Sequence, residues 1–202
     1  MSSNVKLKLD TSVKEGCKPE LLIVFSHPNK DDLEVRKFGE HGANALEILA
    51  ALEAADIPRE LVHFTAMVKH GMGSKSKPSA EDIEEYAAEL DAEIEAIKPK
   101  LIMTLGAEVF KRIMKTNIKM GDYLGEITDS PYGKVLANYA PGMIVVMDPT
   151  KRPEFRDVFL LAKRALDDNL NYDQYKYIIV DEPEVNTAIL EKYISEGKFH
   201  IG

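Results

Sequence analysis

Apolar residues fall along this chain in two rhythms. Short unbroken runs, LLIVF at 21–25, LVHFTAM at 61–67 and LIMTL at 101–105, are bounded by turn formers and read as strands buried on both faces. Between them the apolar positions recur at helical spacing. Ala45, Ile48, Leu49 and Leu52 mark one helix from Ala43, and Pro58 lies just past its end. Ile83, Tyr86, Ala87, Leu90, Ile94 and Ile97 mark one long helix capped by Ser79, with Asp82 three residues on and acid through its first turns. Phe110, Ile113 and Met114 mark a short helix after Gly106, and Phe155, Val158, Phe159, Ala162, Ala165 and Leu166 a longer one from Pro153. Residues 135–139 read as a strand, 143–147 as another apolar run, and 116–133 as irregular or a short hairpin. Strands alternating with helices predict an α/β fold, a three-layer α/β/α sandwich with a mostly parallel central sheet.

The stretch 21–32, LLIVFSHPNKDD, organises the rest: a buried strand ends abruptly in a Pro/Asn turn. In open α/β sheets such loops line the ligand crevice. Residues 1–20 are polar and weakly patterned, as an extended arm would be, and 21–168 form the domain. Residues 169–176 turn polar like a linker, and 177–202 carry a small strand-helix-strand tail.

The 202 residues are enough for one sizeable core. No apolar run approaches the roughly 20 residues that cross a bilayer, and MSSNVKLKLD lacks a signal-peptide core, so a cytoplasmic location and no membrane partner are expected. Cys17 is the single cysteine, which excludes an internal disulfide and a cysteine-built metal site. The net charge of −8 speaks against indiscriminate nucleic-acid binding. Yet Lys69, Lys75 and Lys77 share one Gly/Ser loop, Lys111, Arg112, Lys115 and Lys119 follow a strand, and Lys151, Arg152 and Arg156 open a helix. These clusters outline a local basic face. The acids of 81–95 read as the solvated face of their helix, and His27 with His41 or His70 lacks the carboxylate partner a metal site needs, so no metal is expected.

The order of motifs resembles the uracil-DNA glycosylase superfamily, especially its iron-sulfur-bearing bacterial and archaeal branch. It rests on FSHPNKDD, on Phe38-Gly39 before a helix, on HFTAMVKHGMG, on IKPKLIMTLGAEVFKRIM beside the family's "IRPKVIVTLG", on Asn138-Tyr139-Ala140-Pro141, and on a closing Arg/Pro helix. The resemblance spans about 21–166. It implies base excision: a nucleotide flipped from the duplex, stacked on an aromatic residue and read through its Watson-Crick edge.

Carried over position by position, that chemistry is not retained. The first loop, GEAPG or GQDPY in the family, is here Phe25-Ser26-His27-Pro28-Asn29, which puts His27 at the acidic position, and the uracil-reading Asn falls on Ala66. The leaving-group His falls on Ala140 in one register and on Asp148 in another, the first preferred because Tyr139 and Pro141 both match. No iron-sulfur cluster, and no other cofactor, is implied. A cationic His27 would repel a developing positive sugar, and Ala66 leaves the base edge without a partner. Asp31, Asp32 and His27 are the substitutes left for chemistry. The resemblance places DNA against His27, Pro28, Asn29, Phe38, Lys69, Lys75, Lys77, Tyr139, Lys151 and Arg152, with Phe38 as the stacking aromatic.

Residues 177–202 resemble the opening of the 3′-5′ exonuclease domain of family A DNA polymerases, and certain bacteriophage polymerases carry a glycosylase-like domain ahead of it. The expectation is a catalytically degenerate DNA-binding or architectural domain of such a polymerase, with its exonuclease and polymerase domains as partners in a longer chain and the host cytoplasm as its location. Two other readings stand beside it: an active glycosylase with altered catalytic residues acting on uracil or a modified phage base, and a protein-binding scaffold using the acidic helix at 81–95.

Overall fold

A computed structural model describes residues 8, 9, 11, 18–36, 38–72 and 77–169. Cys17, Lys75 and the expected linker and tail beyond Asn169 lie outside them. Among the described residues, five strands form one sheet in the order β2-β1-β3-β5-β4. Strands β1 (Leu21–Phe25), β2 (Val62–Ala66), β3 (Leu101–Leu105) and β5 (Gly133–Asn138) run parallel, and β4 (Ile127–Ser130) pairs antiparallel to β5 across a tight hairpin. Only β4 falls within the 116–133 segment, and its hairpin partner is β5, the strand expected at 135–139. Helices α1 (Lys30–Val35), α2 (Gly42–Ala54), α3 (Ala80–Glu85), α4 (Ala87–Ile97), α5 (Ala107–Met114) and α6 (Arg152–Leu166) complete the layers.

The uninterrupted apolar runs are explained by what each face of the sheet meets. Leu21 and Ile23 of β1, Leu101 and Met103 of β3 and Leu136 of β5 pack with Ile48 and Leu52 of α2 and with Phe155, Phe159 and Ala162 of α6. The alternate residues Leu22, Val24, Ile102, Val135 and Ala137 face the other way, onto Leu90 and Ile94 of α4 and Val109, Phe110 and Ile113 of α5. Burying one such Leu, Val, Ile or Phe side chain stabilises the fold by about 1.5–3 kcal/mol, so a polar residue in β1 or β3 would be costly on either face. A mostly parallel sheet covered by helices on both sides follows.

Two expectations are corrected. The long helix from Ser79 is broken at Tyr86, whose backbone leaves the helical region at φ −108 and ψ 3. Its N–H closes a tighter turn on the Ile83 carbonyl at 3.3 Å, while its own carbonyl accepts from Leu90 N–H and starts α4. The Tyr86 ring is buried with Val68 and Met72 and tilts against His70, with centroids 5.4 Å apart. That aromatic anchor sets the break. The acids of 81–95 are also not simply a solvated face: Asp82 and the Glu93 side chain are buried, Asp91 pairs with Arg112, and Glu89 with Lys8.

The apolar run 143–147 forms a single π-helical turn, Met143–Met147, with Ile144 in the core and Val146 and Met147 almost fully exposed. No helix among the described residues is long and apolar enough to cross a membrane.

Candidate functional site

The parallel strands all end on one edge, and there the loops converge. β1 lies between β2 and β3, so the chain leaves it first to one side and later returns on the other, which opens a crevice at the carboxyl ends of β1 and β3. Beyond β1 and β2 the ladder continues for two bonds, Met67 N–H to the Phe25 carbonyl at 2.8 Å and Val68 N–H to the Ser26 carbonyl at 2.9 Å. At the other side Gly106 N–H donates to the Asn138 carbonyl at 2.9 Å, and a Cβ placed on Gly106 would lie 3.3 Å from that of Ala140. The first loop, the 67–72 segment, Gly106 and 139–142 therefore form the walls of the crevice.

The first loop is held by a capping box. Asn29 caps α1: its side-chain oxygen accepts from Asp32 N–H at 2.8 Å, and Asp32 Oδ2 accepts in return from Asn29 N–H at 2.9 Å. The other carboxylate oxygen, Oδ1, accepts from Gly39 N–H at 2.8 Å. Both oxygens of this buried group thus serve the backbone. Burial is the largest influence on Asp32 and outweighs those two N–H donors, so its pKa stands above the ordinary carboxylate value.

His27 is half-buried, with Nδ1 3.2 Å from Ser26 Oγ, and burial together with the charge of nearby His70 holds its pKa below the usual histidine range. Pro28 is buried beside it. Asp31 is exposed, and its carboxylate rests on the first residue of α2: a Cβ on Gly42 would fall 2.0 Å from Asp31 Oδ2. At that point the helix dipole favours a negative charge. Gly42, with φ +83, adopts the left-handed backbone that a side chain would strain, so only glycine suits this contact.

The remaining positions singled out by the family resemblance sit around the same edge. Ala66 ends β2 fully buried, with no polar side-chain atom to offer a base. Asn138 Nδ2 donates to the Phe155 carbonyl at 3.0 Å and its oxygen accepts from Tyr139 N–H at 2.8 Å, so this buried amide ties β5 to α6. Tyr139 hydroxyl donates to Glu154 at 2.8 Å. Asp148, the alternative histidine position, accepts from Thr150 N–H at 3.2 Å and caps a short 3-10 turn, Pro149–Lys151. Phe38 is part of the core, edge-on to Phe25 with centroids 4.9 Å apart.

The basic face is smaller than the sequence suggests. Lys69 is 1% exposed, and its ammonium is bonded to Glu93, to Thr11 Oγ1 at 2.5 Å and to Thr65 Oγ1 at 3.1 Å. It is an internal cation rather than a surface one. Burial alone would raise the Glu93 pKa, but the hydrogen bond with His63 at 3.0 Å and the Lys69 charge hold it below the ordinary value. Lys77 is exposed. Lys151 pairs with Glu154 at 2.6 Å, and Arg152 with Glu47 at 3.0 Å.

Two features were missed in the sequence. One is the exposed pair Val146 and Met147, within the apolar run that follows β5. The other lies one residue beyond Lys69. His70 is buried, its Nδ1 3.2 Å from the Tyr86 hydroxyl and its Nε2 3.4 Å from Asp82 Oδ1, with Glu85 in the same cluster. The sequence showed these three as a loop histidine and two solvated acids.

No curated protein sequence gives a significant match to this chain. Among solved structures, wild-type SMUG2 from Pedobacter heparinus shares the fold at a TM-score of 0.53 and 13% identity, over 75% of this chain and 77% of that one. The model of the uracil DNA glycosylase superfamily matches residues 13–162, a stretch that takes in every strand of the sheet, every wall of the crevice and most of α6. The chain belongs to the uracil DNA glycosylase superfamily.

Proposed function

We propose that this chain holds DNA on a glycosylase fold without excising a base. In this reading it is the DNA-binding or architectural domain of a bacteriophage family A DNA polymerase, placed ahead of the exonuclease domain that 177–202 resembles and working in the host cytoplasm. The observation that carries the first half is the state of the crevice. Of the groups that could replace the family's chemistry, Asp32 has both oxygens on backbone N–H groups, His27 is a half-buried imidazole with no negative charge to offer, and Ala66 and Ala140 stand where a reader and a leaving-group histidine would be needed. Breaking a glycosidic bond develops positive charge on the sugar, which calls for a fixed anion or dipole aimed at it. No such group is held over the crevice by any of these four residues.

Support for retained DNA contact comes from its rim. Val146 and Met147 project as an apolar wedge of the kind that unstacks a base step, and Lys151 and Arg152 follow within the next turns. The Lys151–Glu154 pair is a surface ion pair, weak enough for a phosphate to displace, while Glu47 is largely buried and held by both Arg152 and Arg156. His27, Pro28, Asn29, Lys77 and Tyr139 complete the contact set on the crevice side, with Lys75 as a further loop cation. The test is a titration of labelled single- and double-stranded oligonucleotides at two salt concentrations. Affinity should fall steeply with salt and with Val146→Ser/Met147→Ser, and undetectable binding at low salt would remove the DNA half of the proposal.

Asp31 favours a second reading. It is the exposed carboxylate of the first loop, next to the α2 N-terminus, and is the group from which an altered glycosylase acting on uracil or a modified base would work. Abasic-site formation abolished by Asp31→Asn would establish it. The scaffold reading is weakened because Glu89, Asp91 and Glu93 of the acidic face already hold Lys8, Arg112 and Lys69.

A further inference from the structure

We propose that His70, Asp82 and Glu85 bind one divalent transition-metal ion of the zinc type at the corner where the segment after β2 meets α3. Each offers a ligand atom, and the three atoms lie within 4.8 Å of one another. His70 Nε2 and Asp82 Oδ1 are 3.4 Å apart, and a tetrahedral ion with bonds of about 2.0–2.1 Å sets its ligands at an edge of about 3.3 Å. These two atoms need hardly move. The Glu85 carboxylate supplies the third ligand atom within that same distance, for a three-ligand site whose fourth position takes water.

The atoms behind the ligands are arranged as a metal site requires. In the tautomer that donates Nδ1–H to the Tyr86 hydroxyl, the lone pair of His70 is on Nε2 and points toward Asp82. Asp82 Oδ2 accepts from Ser79 N–H at 3.0 Å and from Ser79 Oγ at 2.7 Å, which fixes the carboxylate and turns Oδ1 toward His70. His70 and Asp82 are 3% and 5% exposed, so two of the three ligands are preorganised by packing. One imidazole with two carboxylates selects zinc, cobalt or manganese over magnesium, which prefers an all-oxygen shell. The ion would tie the two ends of the loop that runs from His70 to α3.

The whole chain, freed of metal with a chelator, is titrated with Zn²⁺ alone and, separately, with Co²⁺ while the visible spectrum is recorded. One Zn²⁺ per chain and intense d–d absorption of low-coordinate Co²⁺ are expected. Glu85→Gln should weaken Zn²⁺ binding by roughly tenfold or more, and His70→Ala should abolish the cobalt spectrum. Glu85 is exposed and its replacement isosteric, so that variant decides the matter even where His70→Ala fails to fold. Zn²⁺ uptake unchanged in Glu85→Gln, no uptake by the parent chain, or a preference for Mg²⁺ would each overturn the assignment.

Discussion

The molecule contains the same local device twice, and the two copies end differently. Asn29 with Asp32 and Ser79 with Asp82 are both capping boxes, each with an Asp three residues after the cap and each starting a six-residue helix. In the first, Asp32 gives one oxygen to the cap and the other to Gly39 N–H, so the carboxylate is fully committed to closing the loop between α1 and α2. In the second, both Ser79 donors go to the same oxygen of Asp82 and the other oxygen meets an imidazole. A motif readable in sequence therefore fixes the helix start in both places. What it leaves for chemistry depends on a third partner from elsewhere in the chain.

The root of the second corner gives the largest expected effect. Lys69 and Glu93 are a buried pair, and removing one partner of such a pair strands the other, at a cost of about 3–5 kcal/mol. Glu93→Ala should lower the denaturation midpoint accordingly, while the paired change Lys69→Met with Glu93→Leu should recover most of the loss. A double variant as unstable as the single one would mean that the network does more than neutralise a charge. Next comes the first box: Asp32→Ala leaves the Asn29 cap in place but strips both Asn29 N–H and Gly39 N–H of their acceptor, for about 2–3 kcal/mol by equilibrium unfolding. At the second box Ser79→Ala should cost about 1 kcal/mol. If Asp32→Ala proved no worse than Ser79→Ala, the extra bond to Gly39 would be of no consequence.

The smallest effect separates the two carboxylates by pH. Glu93 has a folded pKa below its ordinary value of 4.5, so the stability it adds is present above that value and is lost as pH falls through the lower, folded one. Asp32 has a folded pKa above 3.8, so its contribution runs the other way, present below 3.8 and lost as pH rises through the folded value. Between pH of about 3 and 6, the stability of Glu93→Gln relative to the parent should improve on acidification and that of Asp32→Asn should worsen. Parallel slopes for the two variants would contradict the assigned shifts.

Much of this was legible before any coordinates. The β1, β2 and β3 runs, the crevice loop after Phe25, the cap at Ser79 and the apolar stripe of α6 all follow from local pattern, because burial on both faces of a parallel sheet and N-capping are written in neighbouring residues; the Asn29 cap and the short helix α1 it starts read only as loop. The site was only half legible. His27, Ala66 and Ala140 are assigned by motif order, and in the fold Ala66 ends β2 while His27 and Ala140 lie two residues beyond the ends of β1 and β5. Lys69 could not be placed, because a lysine in a Gly/Ser loop looks solvated until Glu93, 24 residues on, is brought under it by the crossover from β2 to β3. Tyr86 broke a helix whose stripe was otherwise correct, since a buried ring against His70 is a tertiary contact. The exposure of Val146 and Met147 was not legible, because an apolar run does not tell which of its residues a π-turn buries, here Ile144 alone.

The central claim, a DNA-holding crevice without excision chemistry, is tested most directly by one experiment. Uracil-containing and modified-base oligonucleotides, single- and double-stranded, are incubated with the chain, and abasic sites are counted beside the fraction of DNA bound in the same samples. Salt-sensitive binding with no abasic sites is the predicted result. Base release that disappears in Asp31→Asn would contradict it and restore the first loop as a working active site.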